Sequence, residues 1–250
     1  MKKGCMICLL GLLLTGCAAD TTIPETSAED LYTKATKMFD KTDYEGAAKY
    51  FDEVERQHPY SQWAPRAQIM AAYAFYKKNQ YEDAILTLDR FIQLHPGNKN
   101  APYAYYLKGL CYFEQISDIA REQQMSLNAK QVFNELIARY PTSIYVSDAR
   151  AKLDVIEDQL AGKEMAVGRY YLKQKEYLPA LNRFDEVIRR FAGTNQANEA
   201  YYRMAVCYTA LGLLDQTQRL ATKQQKLYPN TSWTKKTKAL VKKYQPKVKK

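Results

Sequence analysis

Residues 72–96 read Ala-Tyr-Ala-Phe-Tyr-Lys-Lys-Asn-Gln-Tyr-Glu-Asp-Ala-Ile-Leu-Thr-Leu-Asp-Arg-Phe-Ile-Gln-Leu-His-Pro. A small residue, Ala72, is followed three positions later by an aromatic, Phe75; Tyr81, Ala84 and Leu88 then precede the terminal Pro96 by 15, 12 and 8 positions. The same offsets recur along the chain. With Pro59, Pro96, Pro141, Ala192 and Pro229 as anchors, Ala47, Ala84, Ala129, Ala180 and Thr217 lie 12 residues earlier, and Phe51, Leu88, Phe133, Phe184 and Ala221 lie 8 earlier. Tyr44, Tyr81, Ser126, Tyr177 and Leu214 lie 15 earlier. The small residue stands 24 before the anchor at Ala35, Ala72, Gly168 and Ala205, with Met38, Phe75, Tyr171 and Tyr208 three residues on. In the third unit Gly109 and Tyr112 supply that pair, displaced by eight residues. Offsets held at five anchors define an internal repeat, which constrains the fold more than any single motif.

Each position has a physical role. Small residues let the first helix of a unit approach the second, the Phe fills the space between them, and Pro stops the second helix. This is the tetratricopeptide (TPR) pattern. One helix hairpin cannot bury its apolar face alone, so the units stack. The predicted fold is all-α: a superhelical TPR solenoid of about five helix hairpins, with an extra inserted helix and a C-terminal helix. Anchor steps of 37, 45, 51 and 37 place one insertion around Phe113–Gln124 and another, carrying the extra helix, near Ser147–Ala161.

Composition agrees. The 250 residues are 46% hydrophobic and 26% charged, enough to bury a core, and with only 10 Gly and 9 Pro there is little turn chemistry for a β-rich fold. The net charge of +10 suggests a nucleic-acid binder until it is located. Lys2 and Lys3 belong to a leader and eight lysines crowd 235–250; without them 27 basic residues face 27 acidic ones. The folded body is neutral, so nucleic acid is not an expected partner.

Residues 1–17 open with Lys2-Lys3, continue with an apolar run from Met6 to Leu14, and end Leu14-Thr15-Gly16-Cys17. A charged start, a short apolar stretch and small residues before a cleavage point describe a signal peptide over 1–16. The run is about half the roughly 20 residues that span a bilayer. Leu-Thr-Gly-Cys resembles the bacterial lipobox, which implies that Cys17 becomes the first mature residue, carrying a diacylglycerol and an N-acyl chain such as palmitate. Ala18 and Ala19 follow without an Asp, which by resemblance to lipoprotein sorting favours the outer membrane. Apart from these lipids no cofactor is expected. Residues 17–28 read as a flexible lipidated tether, 29–141 as an N-terminal TPR half, 142–230 as a C-terminal TPR half and 231–250 as a basic helix and tail. Cys5 and Cys8 leave with the leader, and Cys111 and Cys207, two repeats apart, read as unpaired packing residues in a compartment that permits disulfides.

Catalytic readings find little material. His58 and His95 stand just before terminating prolines, where other repeats carry Tyr140, Phe191 and Tyr228, and read as packing residues. Glu114 and Asp118 share a helix face in the first insertion and read as solvated. No Gly-rich phosphate loop or Ser elbow is present. The chain reads as a binding scaffold and not an enzyme.

In a TPR solenoid the concave surface is lined by the first helix of each unit, at positions three before, one after and four after the small residue. These are Tyr32, Thr36 and Phe39; Ile69, Tyr73 and Tyr76; Tyr106, Leu110 and Phe113; Met165, Arg169 and Leu172; and Tyr202, Val206 and Thr209. Six of the first nine are aromatic against one of the last six, so the N-terminal groove is the aromatic one. Such a surface suits an extended peptide, with Arg66 or Lys77 available for a terminal carboxylate. Past the last anchor, Trp233, Leu240, Val241 and Tyr244 fall on one helical face able to cap the solenoid, leaving the lysines free.

The chain resembles the BamD-type subunits of the outer-membrane β-barrel assembly machinery. The likeness is carried by Leu14-Thr15-Gly16-Cys17, by Asp89-Arg90-Phe91-Ile92-Gln93-Leu94-His95-Pro96, by Tyr106-Leu107-Lys108-Gly109-Leu110, by Arg139-Tyr140-Pro141-Thr142-Ser143-Ile144-Tyr145 with Asp148-Ala149, and by Val167-Gly168-Arg169-Tyr170-Tyr171. Ala192 departs from the usual Pro. The resemblance implies a non-enzymatic periplasmic protein held on the inner leaflet of the outer membrane. Its implied partners are BamA periplasmic domains, met by the C-terminal half, other Bam lipoproteins, and unfolded β-barrel substrates, met by their C-terminal signals in the N-terminal half. A TPR lipoprotein of another envelope system, such as a pilus pilotin, is the alternative; an envelope enzyme or cell-wall binder would require a clustered acid–base pair.

Overall fold

The computed structural model describes residues 23–116 and 123–244; the leader, Cys17 and Asp118 lie outside them. Eleven α-helices follow one another among the described residues: α1 Ala28–Asp40, α2 Tyr44–Gln57, α3 Ala64–Lys77, α4 Tyr81–Leu94, α5 Ala101–Glu114, α6 Gln124–Arg139, α7 Val146–Lys173, α8 Tyr177–Arg190, α9 Asn195–Ala210, α10 Leu214–Leu227 and α11 Ser232–Tyr244. Each packs on its successor, and α1 also touches α3, α3 touches α5 and α7 touches α9, so the first helices of the hairpins form one layer of a TPR solenoid.

The repeat offsets translate directly into packing. Phe51, Leu88, Phe133 and Phe184 are fully buried, as are Ala47, Ala84, Ala129 and Ala180 one turn before them. Hairpin turns share one geometry. Thr42, Asn79, Lys175 and Gly212, each 17 residues before its anchor, take the left-handed conformation (φ 61–77°). The next residue then donates its N–H back to the carbonyl of the aromatic-or-Met position: Asp43 to Met38, Gln80 to Phe75, Glu176 to Tyr171 and Leu213 to Tyr208, at 2.9–3.0 Å. That closure satisfies carbonyls a helix end leaves open. Repeat three lacks it because α5 ends at Glu114 and α6 begins only at Gln124, which is the first insertion.

The second insertion departs from expectation. Residues 147–161 are helical but form no separate helix; they continue into the first helix of repeat four as the 28-residue α7. The stretch has no Pro, and Ala149, Ile156, Leu160, Ala161, Met165 and Gly168 keep a helical spacing of buried positions, so nothing breaks it. A buried cluster runs through this region from Tyr105 to Cys207. Cys111 and Cys207 are buried free thiols, and burial pushes them up to about 12 and about 11.

Both ends differ from the simple reading. The tether expected over 17–28 is fastened from Ile23 onward. Thr26 N–H donates to Gln57 Oε1 (3.2 Å), Gln57 Nε2 donates to the Pro24 carbonyl (3.3 Å), and His58 Nε2 lies 2.6 Å from the Thr26 carbonyl. Ile23 packs on the first-repeat core, and Ser27 caps α1 by accepting from Asp30 N–H at 3.1 Å. His58 is thus a clamp, whereas His95 packs tilted against Phe91, with ring centroids 5.3 Å apart. At the C-terminal end the buried face of α11 is Thr234 and Thr237, while Tyr244, placed by the periodicity on the apolar stripe, is exposed. Ala221 replaces the repeat Phe here, and a polar chain fills the space: Gln224 Nε2 donates to Asn198 Oδ1 (2.8 Å), Asn198 Nδ2 to Thr231 Oγ1 (2.8 Å), and Thr234 Oγ1 to the Tyr228 carbonyl (2.6 Å).

Candidate functional site

The inner helices bring aromatic rings together from four elements. Phe39 on α1 stacks on Tyr73 of α3 (centroids 5.5 Å, planes 27° apart), and Tyr73 stacks on Tyr76 (6.3 Å, 14°). Tyr44 and Tyr81, the first residues of α2 and α4, flank this ladder at 5.1 Å from Phe39 and 5.9 Å from Tyr76. Further along, Tyr106 on α5 stacks on Tyr145, which immediately precedes α7 (4.9 Å, 18°), and Tyr103 lies 5.4 Å from Tyr145. Tyr73, Tyr76 and Tyr103 pack against one buried cluster, and burial, then the nearby phenols of Tyr73, Tyr145 and Tyr76, hold the Tyr103 proton on well above the ordinary tyrosine range.

The polar atoms of this surface are ordered by acids. Tyr76 O–H donates to Glu114 Oε1 (3.4 Å) and Tyr106 O–H to Asp148 Oδ2 (2.7 Å). Burial, reinforced by Glu114, pushes the Tyr76 phenol up to about 12; burial and the bond to Asp148 raise Tyr106 as well. Tyr76 and Tyr106 are therefore neutral donors near pH 7. Glu114 is exposed, as expected, and also accepts this bond from Tyr76. Lys152 of α7 sits 4.7 Å over the Phe113 ring and 3.7 Å from Asp148.

Of the residues chosen from sequence, Phe39, Tyr73, Tyr76 and Tyr106 fall on this run, and Phe113 adjoins it through Lys152. Tyr32 forms its own corner, edge-on to Phe51 at 5.3 Å and 4.9 Å from Trp63, whose ring also carries Arg66 at 5.9 Å. Arg66 and Lys77 are exposed on α3, seven residues before and four after Tyr73, so they share its helical face. Two register positions are not surface at all: Ile69 and Met165 are buried in the core. Tyr103, Tyr145, Asp148 and Lys152 escaped the register because they lie outside the three canonical offsets of a repeat, two of them on the segment contributed by the second insertion. The only available signal was the tyrosine density of 103–106 and 140–145.

The family described as outer membrane lipoprotein, YfiO, matches residues 24–227. The chain is 42% identical over 230 residues to the outer membrane protein assembly factor BamD of Caulobacter vibrioides, covering 90% of this chain and 75% of that protein. It is 38% identical over 239 residues to the factor of the same name in Rickettsia prowazekii, covering 95% of each. In backbone it is similar to the TPR2AB-domain:pHSP90 complex of yeast Sti1, with a TM-score of 0.45, 16% identity, and coverage of 86% of this chain and 83% of that one.

Proposed function

The chain belongs to the YfiO family of outer membrane lipoproteins, and on that premise we propose that its aromatic inner face receives the C-terminal segments of unfolded β-barrel proteins. The chain is a non-enzymatic, lipid-anchored periplasmic scaffold in outer-membrane protein assembly, and family membership decides for that role over the pilus-pilotin alternative. The single observation that carries the groove reading is the pair of aromatic groups, Phe39–Tyr73–Tyr76 and Tyr103–Tyr145–Tyr106, with Tyr73, Tyr76 and Tyr103 packed on the same buried cluster. Stacked rings with fixed phenols give apolar pockets beside hydrogen-bond donors, which suits an extended chain bearing alternate aromatic side chains. Glu114 and Asp148, two acids against the single Lys152, disfavour a terminal carboxylate at the α5–α7 side. The peptide therefore runs with its C-terminus toward α3, where Arg66 or Lys77 meets it. Cys17 carries the acyl chains, and the C-terminal repeats dock the periplasmic domains of BamA.

The test is the affinity of a peptide ending in Phe for the wild type and for Tyr73→Ala/Tyr76→Ala. Loss of two anchor rings should weaken binding by about 2 kcal/mol or more, roughly thirtyfold. Amidation of the peptide terminus should weaken wild-type binding too. Equal affinities of the two proteins would overturn the site.

A further inference from the structure

We propose that the turn between α2 and α3 is a membrane contact, with the Tyr60 ring seated among the lipid headgroups of the leaflet that holds the acyl anchor. The inference rests on Cys17 being the acylated residue. Three observations converge on this corner.

The chain leaves the solenoid beside this turn. Gln57 and His58 hold the backbone at Pro24 and Thr26, and Tyr60 stands two residues beyond His58. The packed Ile23 is six positions after Cys17, so the acylated residue is tethered within about 20 Å of that point even when fully extended. The far edge of the solenoid, marked by Lys41 at the other end of the 13-residue α1, is a further 20 Å or so away.

Tyr60 also breaks the repeat register. The residue after the anchor is Gly97, Thr142, Gly193 and Asn230 in the other repeats, small or polar in every case. At that position only the turn nearest the acylated end carries a large aromatic.

The fold does not use that ring. Tyr60 is fully exposed, and among the described residues neither its ring nor its hydroxyl has a partner. Its backbone is held: Ser61 N–H donates to the His58 carbonyl (3.0 Å), and Ala64 N–H to the Ser61 carbonyl and hydroxyl, each at 3.2 Å. A tyrosine on a rigid turn, apolar in its body and polar at its tip, suits the headgroup layer, where Tyr and Trp are enriched.

The experiment uses the full lipidated protein in vesicles of phosphatidylethanolamine with a minor fraction of phosphatidylglycerol. Single cysteines at Tyr60→Cys and, as the opposite-edge control, Lys41→Cys carry an environment-sensitive fluorophore; Cys111 and Cys207 are buried and stay unlabelled. We expect a blue shift and quenching by headgroup-proximal nitroxide lipids at position 60 and neither at position 41. Adding Gln57→Ala/His58→Ala should diminish the signal at position 60 while the protein remains on the vesicles. Vesicle-bound protein with position 60 unquenched, or with both positions quenched alike, overturns the inference and leaves the anchor reading intact. Protein that fails to float with the vesicles overturns both. Burial of position 60 only on addition of a partner protein assigns the turn to protein contact and overturns the lipid assignment.

Discussion

Replacing Gly168 with Ala tests whether the small-residue position in α7 is set by packing against Phe184. An ideal Cβ at Gly168 would lie 2.5 Å from Phe184 Cε1 and 2.9 Å from both Cδ1 and Cζ. Carbon atoms in contact prefer about 3.5–4.0 Å, so the ring must retreat by roughly 1 Å. It has nowhere to go: Phe184 is fully buried, with Met165, Ala180 and Val187 of the same cluster also at 0% exposure. Overpacking of this kind costs about 1–3 kcal/mol, and a clash against a buried ring belongs at the upper end. Relief of a mid-helix glycine returns about 1 kcal/mol. The net expectation is a loss of about 2 kcal/mol, or roughly 4–8 °C in Tm for a chain of this size. Thermal and urea unfolding followed by far-UV circular dichroism measure it. Adding Phe184→Leu removes the clashing ring edge, so Gly168→Ala should become neutral or stabilising in that background, with a coupling of at least about 1 kcal/mol. Repeat one packs Ala35 in the same buried cluster as Phe51, so an Ala–Phe pair is possible where the hairpin is built for it. A Gly168→Ala protein as stable as wild type would show that α7 and α8 relax to that spacing and would refute the steric assignment.

Asp52 sits in a largely buried position with Oδ1 unpartnered, and desolvation, only partly opposed by Arg90, raises its carboxyl to about 6. A raised pKa favours the folded state below the unfolded value near 4 and loses that contribution as pH climbs through 6; Asp52→Asn should therefore gain up to about 2 kcal/mol at pH 7.5 and flatten the wild-type fall in urea midpoint between pH 4 and 6.5. Deleting Thr234–Lys250 removes the buried Thr234 and Thr237 and opens the Asn198–Gln224 network, so it should lower stability by about 2 kcal/mol on thermal melting, whereas deleting Gln245–Lys250 should leave the melt unchanged. Cys17→Ser should accumulate as unprocessed or mislocalised precursor; normal fractionation of that variant with the outer membrane would count against acylation at this residue.

What the sequence determined alone is the local part of this protein. The hairpin register, the buried alanines and phenylalanines at fixed offsets, the burial of Cys111 and Cys207, and the concentration of aromatics in the first three repeats all follow from spacing. Helical geometry repeats every 3.6 residues whatever the neighbours, and each unit must bury the same face. Family resemblance was legible for the same reason, in short runs around those turns. What tertiary structure decided is everything that depends on one unit's position against the next. Stacking of Tyr106 on Tyr145, the bond to Asp148 and the place of Tyr103 join residues about 40 positions apart, and no periodicity encodes the rotation between successive hairpins that brings them together. That rotation also sends Ile69 and Met165 inward from positions the register assigned to the groove. Continuity of α7 was withheld because an insertion and a helix extension look alike in anchor spacing. The clamp of Gln57 and His58 on Pro24 and Thr26, and the polar packing of α11, arise at the two ends of the stack, where a missing neighbour leaves the terminal helix to find partners outside the repeat pattern.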